Sequence, residues 1–110
     1  MKDTTPPNKF KAYDYKKLRI ELKQNYTQKN VVQMLSFIGY EINRSRMLKI
    51  REENTPSASI SRQGLIRDFG SSGWSGDIVA VLHEYKNIPL SEATIYVAKL
   101  MNIDVERFVK

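Results

Sequence analysis

Two hydrophobic periods alternate along this chain, and the points where one replaces the other mark its elements. From about Phe10 to Gln24 the apolar residues Tyr15, Leu18 and Leu22 recur at helical spacing, with Lys16, Lys17, Arg19 and Lys23 between them, which predicts an amphipathic helix with one buried stripe. Asn25-Tyr26 breaks that pattern. Thr27 is placed to cap a second helix whose Val31, Leu35 and Ile38 fall at i, i+4 and i+7, and Gly39 ends it. From Glu41 to Arg51 the period becomes two, with Ile42, Arg44, Arg46, Leu48 and Ile50 on one side and Asn43, Ser45, Met47, Lys49 and Arg51 on the other. Neither side is purely apolar, so this strand is expected to have a packed end at Leu48 and Ile50 and a wet end at Arg44 and Arg46.

Glu52 to Pro56 must turn, because proline donates no hydrogen bond and biases Thr55 to an extended backbone. Ala58 and Ile60 then alternate with Ser57, Ser59 and Ser61 in a second strand, Arg62-Gln63-Gly64 supplies a hairpin in which Gly64 is free to take positive φ, and Leu65 to Phe69 forms a third strand. A loop, Gly70 to Gly76, contains the single tryptophan, Trp74, and Asp77 is placed to cap a helix bearing Ile78, Val81, Leu82 and Tyr85. After the turn Asn87-Ile88-Pro89-Leu90, Ser91 is expected to cap a helix carrying Ile95, Ala98 and Met101, and Asp104 to start a short last helix with Val105, Phe108 and Val109. The expected architecture is α+β: a small three-stranded antiparallel sheet flanked by two N-terminal and two to three C-terminal helices. Residues 1–9, with two prolines, are expected to be a flexible arm, and residues 10–110 a single domain.

Composition narrows the chemistry. The absence of cysteine removes disulfides, thiolate catalysis and cysteine-based zinc sites together. The longest apolar runs, such as Ile78 to Leu82, are far below the ~20 residues that span a bilayer, and no signal segment opens the chain, so a cytoplasmic location and no membrane partner are expected. The net charge of +6 is unevenly spread: residues 1–55 hold twelve Lys and Arg against six acids, and residues 56–110 hold six of each. Such an asymmetry suits a surface that meets a polyanion, the plainer alternative being a solvated face that keeps the chain soluble.

Catalytic groups are sparse. His83, the only histidine, has Glu84 beside it, and adjacent helical positions do not face each other. Glu52-Glu53 would point apart, with no accompanying acidic cluster to hold a metal, and Ser71-Ser72-Gly73 lacks the lysine and spacing of a phosphate-binding loop.

The order of strand, Glu53-x-Thr55-Pro56-Ser57 turn, strand, hairpin, strand, Phe69-Gly70, Ser75-Gly76-Asp77 and amphipathic helix with Ile78 and Leu82, followed by a helix with Ser91-Glu92-Ala93, resembles the N-terminal zinc-ribbon domain of bacterial and phage DNA primases. The resemblance covers about half the chain. In that family zinc is held by a Cys-x-x-His and a Cys-x-x-Cys pair, and those four places fall here on Leu48, Arg51, Asp68 and Ser71, none of them a thiolate or imidazole. One extra residue also lies between Gly70 and Gly76. The resemblance is therefore to a degenerate ribbon without metal or cofactor. Loss of a structural zinc removes on the order of 10 kcal/mol, so apolar packing must replace it, while an Arg51–Asp68 ion pair between the turns would add only ~0 to 1 kcal/mol.

The resemblance implies a non-enzymatic module that contacts single-stranded template DNA beside a primase catalytic domain or helicase, within a longer replication or mobile-element protein. The residues point the same way: Arg44, Arg46, Lys49, Arg51, Arg62 and Arg67 lie on or beside the strands to meet phosphates, and Phe69 and Trp74 are candidates to stack bases. Phe69 reads equally as core, Trp74 as a lid over the lost metal site, and several arginines as charges that guard sheet edges. The competing reading is a protein-interaction domain docking on a replication partner through the helices after Asp77, signalled by an exposed apolar patch around Ile88 and Leu90. A regulator reading duplex DNA is a weaker third, because no recognition helix with the needed turn is evident.

Overall fold

A computed structural model describes residues 12–50, 56–70 and 73–110. Among them the chain forms α1 (Tyr15–Asn25), α2 (Gln28–Ile38), β1 (Met47–Leu48), β2 (Ala58–Ile60), β3 (Ile66–Asp68), β4 (Ser75–Gly76), α3 (Ile78–Tyr85), α4 (Leu90–Leu100) and a closing 3₁₀ helix, Val105–Phe108. The arm expected over residues 1–9 lies outside the described residues, as does the turn at 51–55.

The helix ends follow their local chemistry. Asp14 caps α1 by accepting from the Lys17 amide, and Leu18 and Leu22 form its buried stripe. Thr27 and Asn30 make a reciprocal capping box at the start of α2, which buries Val31, Met34 and Leu35 and stops at Gly39 with φ +120°. Asp104 accepts from the Glu106 amide at the 3₁₀ helix. α4 departs from expectation: it begins at Leu90, with Pro89 rather than Ser91 at its cap position. Pro89 has the fixed φ that precedes a helix comfortably, and its carbonyl accepts from the Ala93 amide, so Ser91 falls inside the first turn. Backbone bonds from Asp14 to Phe108 and from Lys110 to Ala12 tie the end of the described chain to its start.

The sheet is antiparallel with order β1-β2-β3-β4, four strands rather than the expected three. The strand expected over Glu41 to Arg51 is confined to Met47–Leu48, because Asn43 Oδ1 accepts from the Ser45 and Met47 amides and Arg46 turns through φ +60°. An asparagine that satisfies its own neighbours competes with the ladder. The added strand, Ser75–Gly76, pairs with β3 in the register Ile66↔Gly76 and Arg67↔Ser75. Glycine is required at Gly76, since a Cβ there would lie 2.9 Å from the Trp74 ring and 3.0 Å from Ala80.

Leu48, Ala58, Ile60 and Ile66 face inward and join Leu18, Leu22, Val31, Leu35, Ile78, Leu82 and Val97 in the core. Tyr26, between α1 and α2, is buried there and donates to Asp77 Oδ2 at 3.0 Å. Burial, then the adjacent Asp77 carboxylate, pushes the Tyr26 hydroxyl far above the ordinary tyrosine range. The folded chain thus keeps a proton that the unfolded chain releases near pH 10, so this group's contribution is complete below about pH 10 and is lost as pH rises further. Chemical denaturation between about pH 9 and 11 should show a steeper loss of stability for the parent than for Tyr26→Phe.

Candidate nucleic-acid interface

The sheet's register decides what its outer face presents. Met47, Ser59, Arg67 and Ser75 stand opposite one another across the four strands, the row that alternates with the buried Leu48, Ala58 and Asp68. Arg67 is exposed and flanked by two serines, short enough to leave its guanidinium accessible. Two residues on, Phe69 is 64% exposed, and the Arg67 guanidinium lies 5.3 Å from its ring centroid. That separation is within cation–π range and presents charge and ring together. Leu65, immediately before β3, is 48% exposed. Ser59, Ser61, Gln63, Leu65, Arg67, Phe69, Gly73 and Ser75 line an open cleft of about 620 Å³ across this face.

Phe69 points outward because Asp68 points in. Asp68 is 1% exposed, accepting from the Ser57 hydroxyl at 2.7 Å and the Gly70 amide at 2.8 Å. A buried carboxylate supplied with donors in this way is tolerated, and strand alternation then sends its neighbour to solvent. The core reading of Phe69 is thereby corrected. Two of the family's metal-ligand positions, Leu48 and Asp68, lie in one inner row with Ala58 between them; Arg51 and Ser71 lie outside the described residues, as does the Arg51–Asp68 pair. Among the described residues no group of three or more His, Asp or Glu could hold a metal ion.

Trp74 takes another part. Its Nε1 donates to Glu84 at 3.0 Å, its ring meets Tyr85 edge-on at 5.4 Å, and it covers Gly76. It is half-buried and clamps β4 to α3 instead of standing free beside Phe69. His83 Nδ1 contacts the Ile88 carbonyl at 2.8 Å, which closes the α3–α4 turn.

The remaining cations lie at two places. Lys49 is exposed beyond β1, beside a second cleft lined by Tyr40, Ile42, Met47 and Pro56. Arg44, Arg46 and Arg62 are exposed at the hairpin end of the sheet, where Arg46 carbonyl oxygen accepts from the Ile60 amide. Among the described residues none of Arg44, Arg46, Lys49, Arg62 or Arg67 forms an ion pair; Arg107 with Glu21, at 3.6 Å, does so elsewhere. The structure therefore brings Arg67 and Phe69 together, bonds Arg46 to the strand that leads to Arg62, and engages the Trp74 side chain with Glu84 and Tyr85. Sequence reasoning passed over Ser59 and Ser75, though the alternation of serines with Ala58 and Ile60 already placed Ser59 outward.

No family model, curated protein or solved structure matches this chain. No helix among the described residues is long and apolar enough to cross a membrane.

Proposed function

We propose that the chain is a non-catalytic nucleic-acid-binding module, of a DNA primase-like replication or mobile-element protein, that holds single-stranded DNA on the outer face of its sheet. The observation that carries this reading is the Arg67–Phe69 pair, an exposed ring with a guanidinium over it on an otherwise low serine surface. A base stacks on the ring whatever its identity, and the arginines meet phosphates, so binding is sequence-tolerant and salt-dependent. The zinc-ribbon ancestry rests on the sequence resemblance, with packing around Leu48 and donors around Asp68 standing where metal ligands would be.

The protein-docking alternative draws less support. Ile88 is half-buried against the core and its carbonyl is engaged by His83, so of the two residues named for the patch only Leu90, 39% exposed, stands well out from the surface.

Fluorescence anisotropy with labelled single-stranded oligonucleotides at ~50 mM salt tests the proposal. Phe69→Ala should weaken binding by about tenfold, within the ~1–3 kcal/mol that a stacked base contributes. Arg67→Ala should weaken it and also reduce the slope of log affinity against log salt by about 0.7, the value for one phosphate contact on a single strand. Absence of binding, or binding indifferent to Phe69, Arg67, Arg44, Arg46 and Arg62 substitutions, overturns the reading.

A further inference from the structure

The hairpin that carries Arg62 is docked on the first turn of α2. Gln28 makes both attachments: its amide donates to the Arg62 carbonyl at 3.1 Å and its Nε2 to the Ile60 carbonyl at 2.8 Å. Ile60 in turn donates its amide to Arg46 at 3.0 Å. Gly64 presses against Val31, Tyr26 and Thr27 with no room for a side chain. These backbone contacts set the hairpin residue Arg62 against the first turn of α2, in which Lys29 follows Gln28, and tie Ile60 on the same hairpin to Arg46, although the three segments are far apart in sequence. The side chains of Lys29, Arg44, Arg46 and Arg62 are exposed, and among the described residues none forms an ion pair with a carboxylate.

We infer that this corner is a phosphate-binding track that carries a single strand off the sheet and onto α2, with Lys29 as its outermost contact. The inference rests on the sheet-face reading for where the strand comes from, while the corner's own charge contacts stand apart from it. The chemistry suits a backbone and not a base: arginine forks grip two phosphate oxygens at once, and the lysine ammonium acts as a point charge that needs no fixed orientation. Leu65 to Phe69 spans only about 13 Å at ~3.3 Å per residue, so the sheet alone accommodates a short stretch of strand and the corner becomes useful to a longer one.

Oligothymidylates of about four and about twelve nucleotides, within the ~4–16 nucleotide range of small single-strand-binding folds, separate the two surfaces. Lys29→Ala should weaken the longer probe on the order of fivefold, lower its salt slope by about 0.7, and leave the shorter probe unchanged; Lys29→Glu should weaken the longer probe more, and Lys29→Arg should restore it. Unchanged affinity and salt slope for the longer probe in both Lys29→Ala and Lys29→Glu overturn the track, and if Phe69→Ala still weakens the shorter probe the sheet-face reading survives that failure. The reverse result, in which Phe69→Ala binds both probes normally and Lys29→Ala weakens the longer one, supports the corner and removes the sheet from the path. Lys29 is a solvent-exposed position, and thermal unfolding of each variant verifies that its fold is retained.

Discussion

Replacing Asp77 by alanine is expected to cost about 3 kcal/mol of stability, the sum of a lost helix cap of ~1 kcal/mol and a buried hydroxyl left without its partner at ~1–3 kcal/mol. Both effects arise from one carboxylate. Its Oδ1 accepts from the Ala80 amide at the start of α3 and its Oδ2 accepts from the buried Tyr26 hydroxyl, joining the α1–α2 connection to the loop that follows the sheet. In a chain of this size such a loss lowers the melting temperature by roughly 10–20 °C. Tyr26→Phe removes the same hydrogen bond while leaving the cap in place and should cost about 2 kcal/mol, because Asp77 Oδ2 then loses the hydroxyl that satisfied it. The pair should be strongly non-additive: with Asp77 already alanine, removing the Tyr26 hydroxyl takes away an orphan group and should be neutral or stabilising. Denaturant melts of the four proteins in this cycle test the account, and additive losses would sink it.

The second large effect is expected at Gly64. Its φ of +81° is a conformation that a side chain resists, and a Cβ there would lie 2.7 Å from Val31 Cγ2, 2.9 Å from Tyr26 Cβ and 3.2 Å from the Thr27 carbonyl oxygen. Gly64→Ala therefore combines backbone strain of ~1–2 kcal/mol with overpacking of ~1–3 kcal/mol, for a loss of about 3 kcal/mol. Gly73 separates the two contributions: it has φ +63° but open space around it, so Gly73→Ala should lose only the backbone part, about 1 kcal/mol. Trimming Val31 in the Gly64→Ala background should recover part of the overpacking and none of the strain. Because the same contact seats the hairpin on α2, Gly64→Ala should also weaken the longer oligonucleotide more than the shorter one. Equal losses at Gly64 and Gly73 would show that the close approach to α2 carries no energy.

The third strand shows why the candidate site was only half legible. Within Ile66-Arg67-Asp68-Phe69, hydrophobicity alone favours Phe69 inside and Asp68 outside, yet strand alternation cannot bury Ile66 and Phe69 together. Ile66 takes the core, and Asp68 follows it inward because the Ser57 hydroxyl and the Gly70 amide are there to receive it. Those donors come from the preceding strand and the following loop, so the outcome depends on a pairing that periodicity does not reveal. The fourth strand was missed for a related reason: Ser75-Gly76 has no strand propensity of its own and is extended because β3 offers it a ladder and Trp74 a cover. Trp74 itself, a solitary aromatic in a Gly/Ser loop, gave no sign in the sequence of its partners Glu84 and Tyr85, which lie on the following helix.

By itself the sequence determined what is local. The caps at Thr27, Asp77 and Asp104, the stop at Gly39, the positive φ at Gly64 and the burial of Leu18 and Leu22 on α1 and of Val31 and Leu35 on α2 each follow from a few adjacent residues and are as the spacing indicates, while Tyr15 and Ile38 are only partly buried and Met34 joins the core beside them. Tertiary structure alone decided which exposed groups act together. Arg67 and Phe69 share a face because a buried carboxylate set the strand's alternation, and the segments that carry Lys29, Arg46 and Arg62 are joined because Gln28 and Gly64 seat the hairpin on α2. Long-range docking of this kind rests on hydrogen bonds and close packing between segments distant in the chain, and those bring charges together without leaving a periodic trace among them.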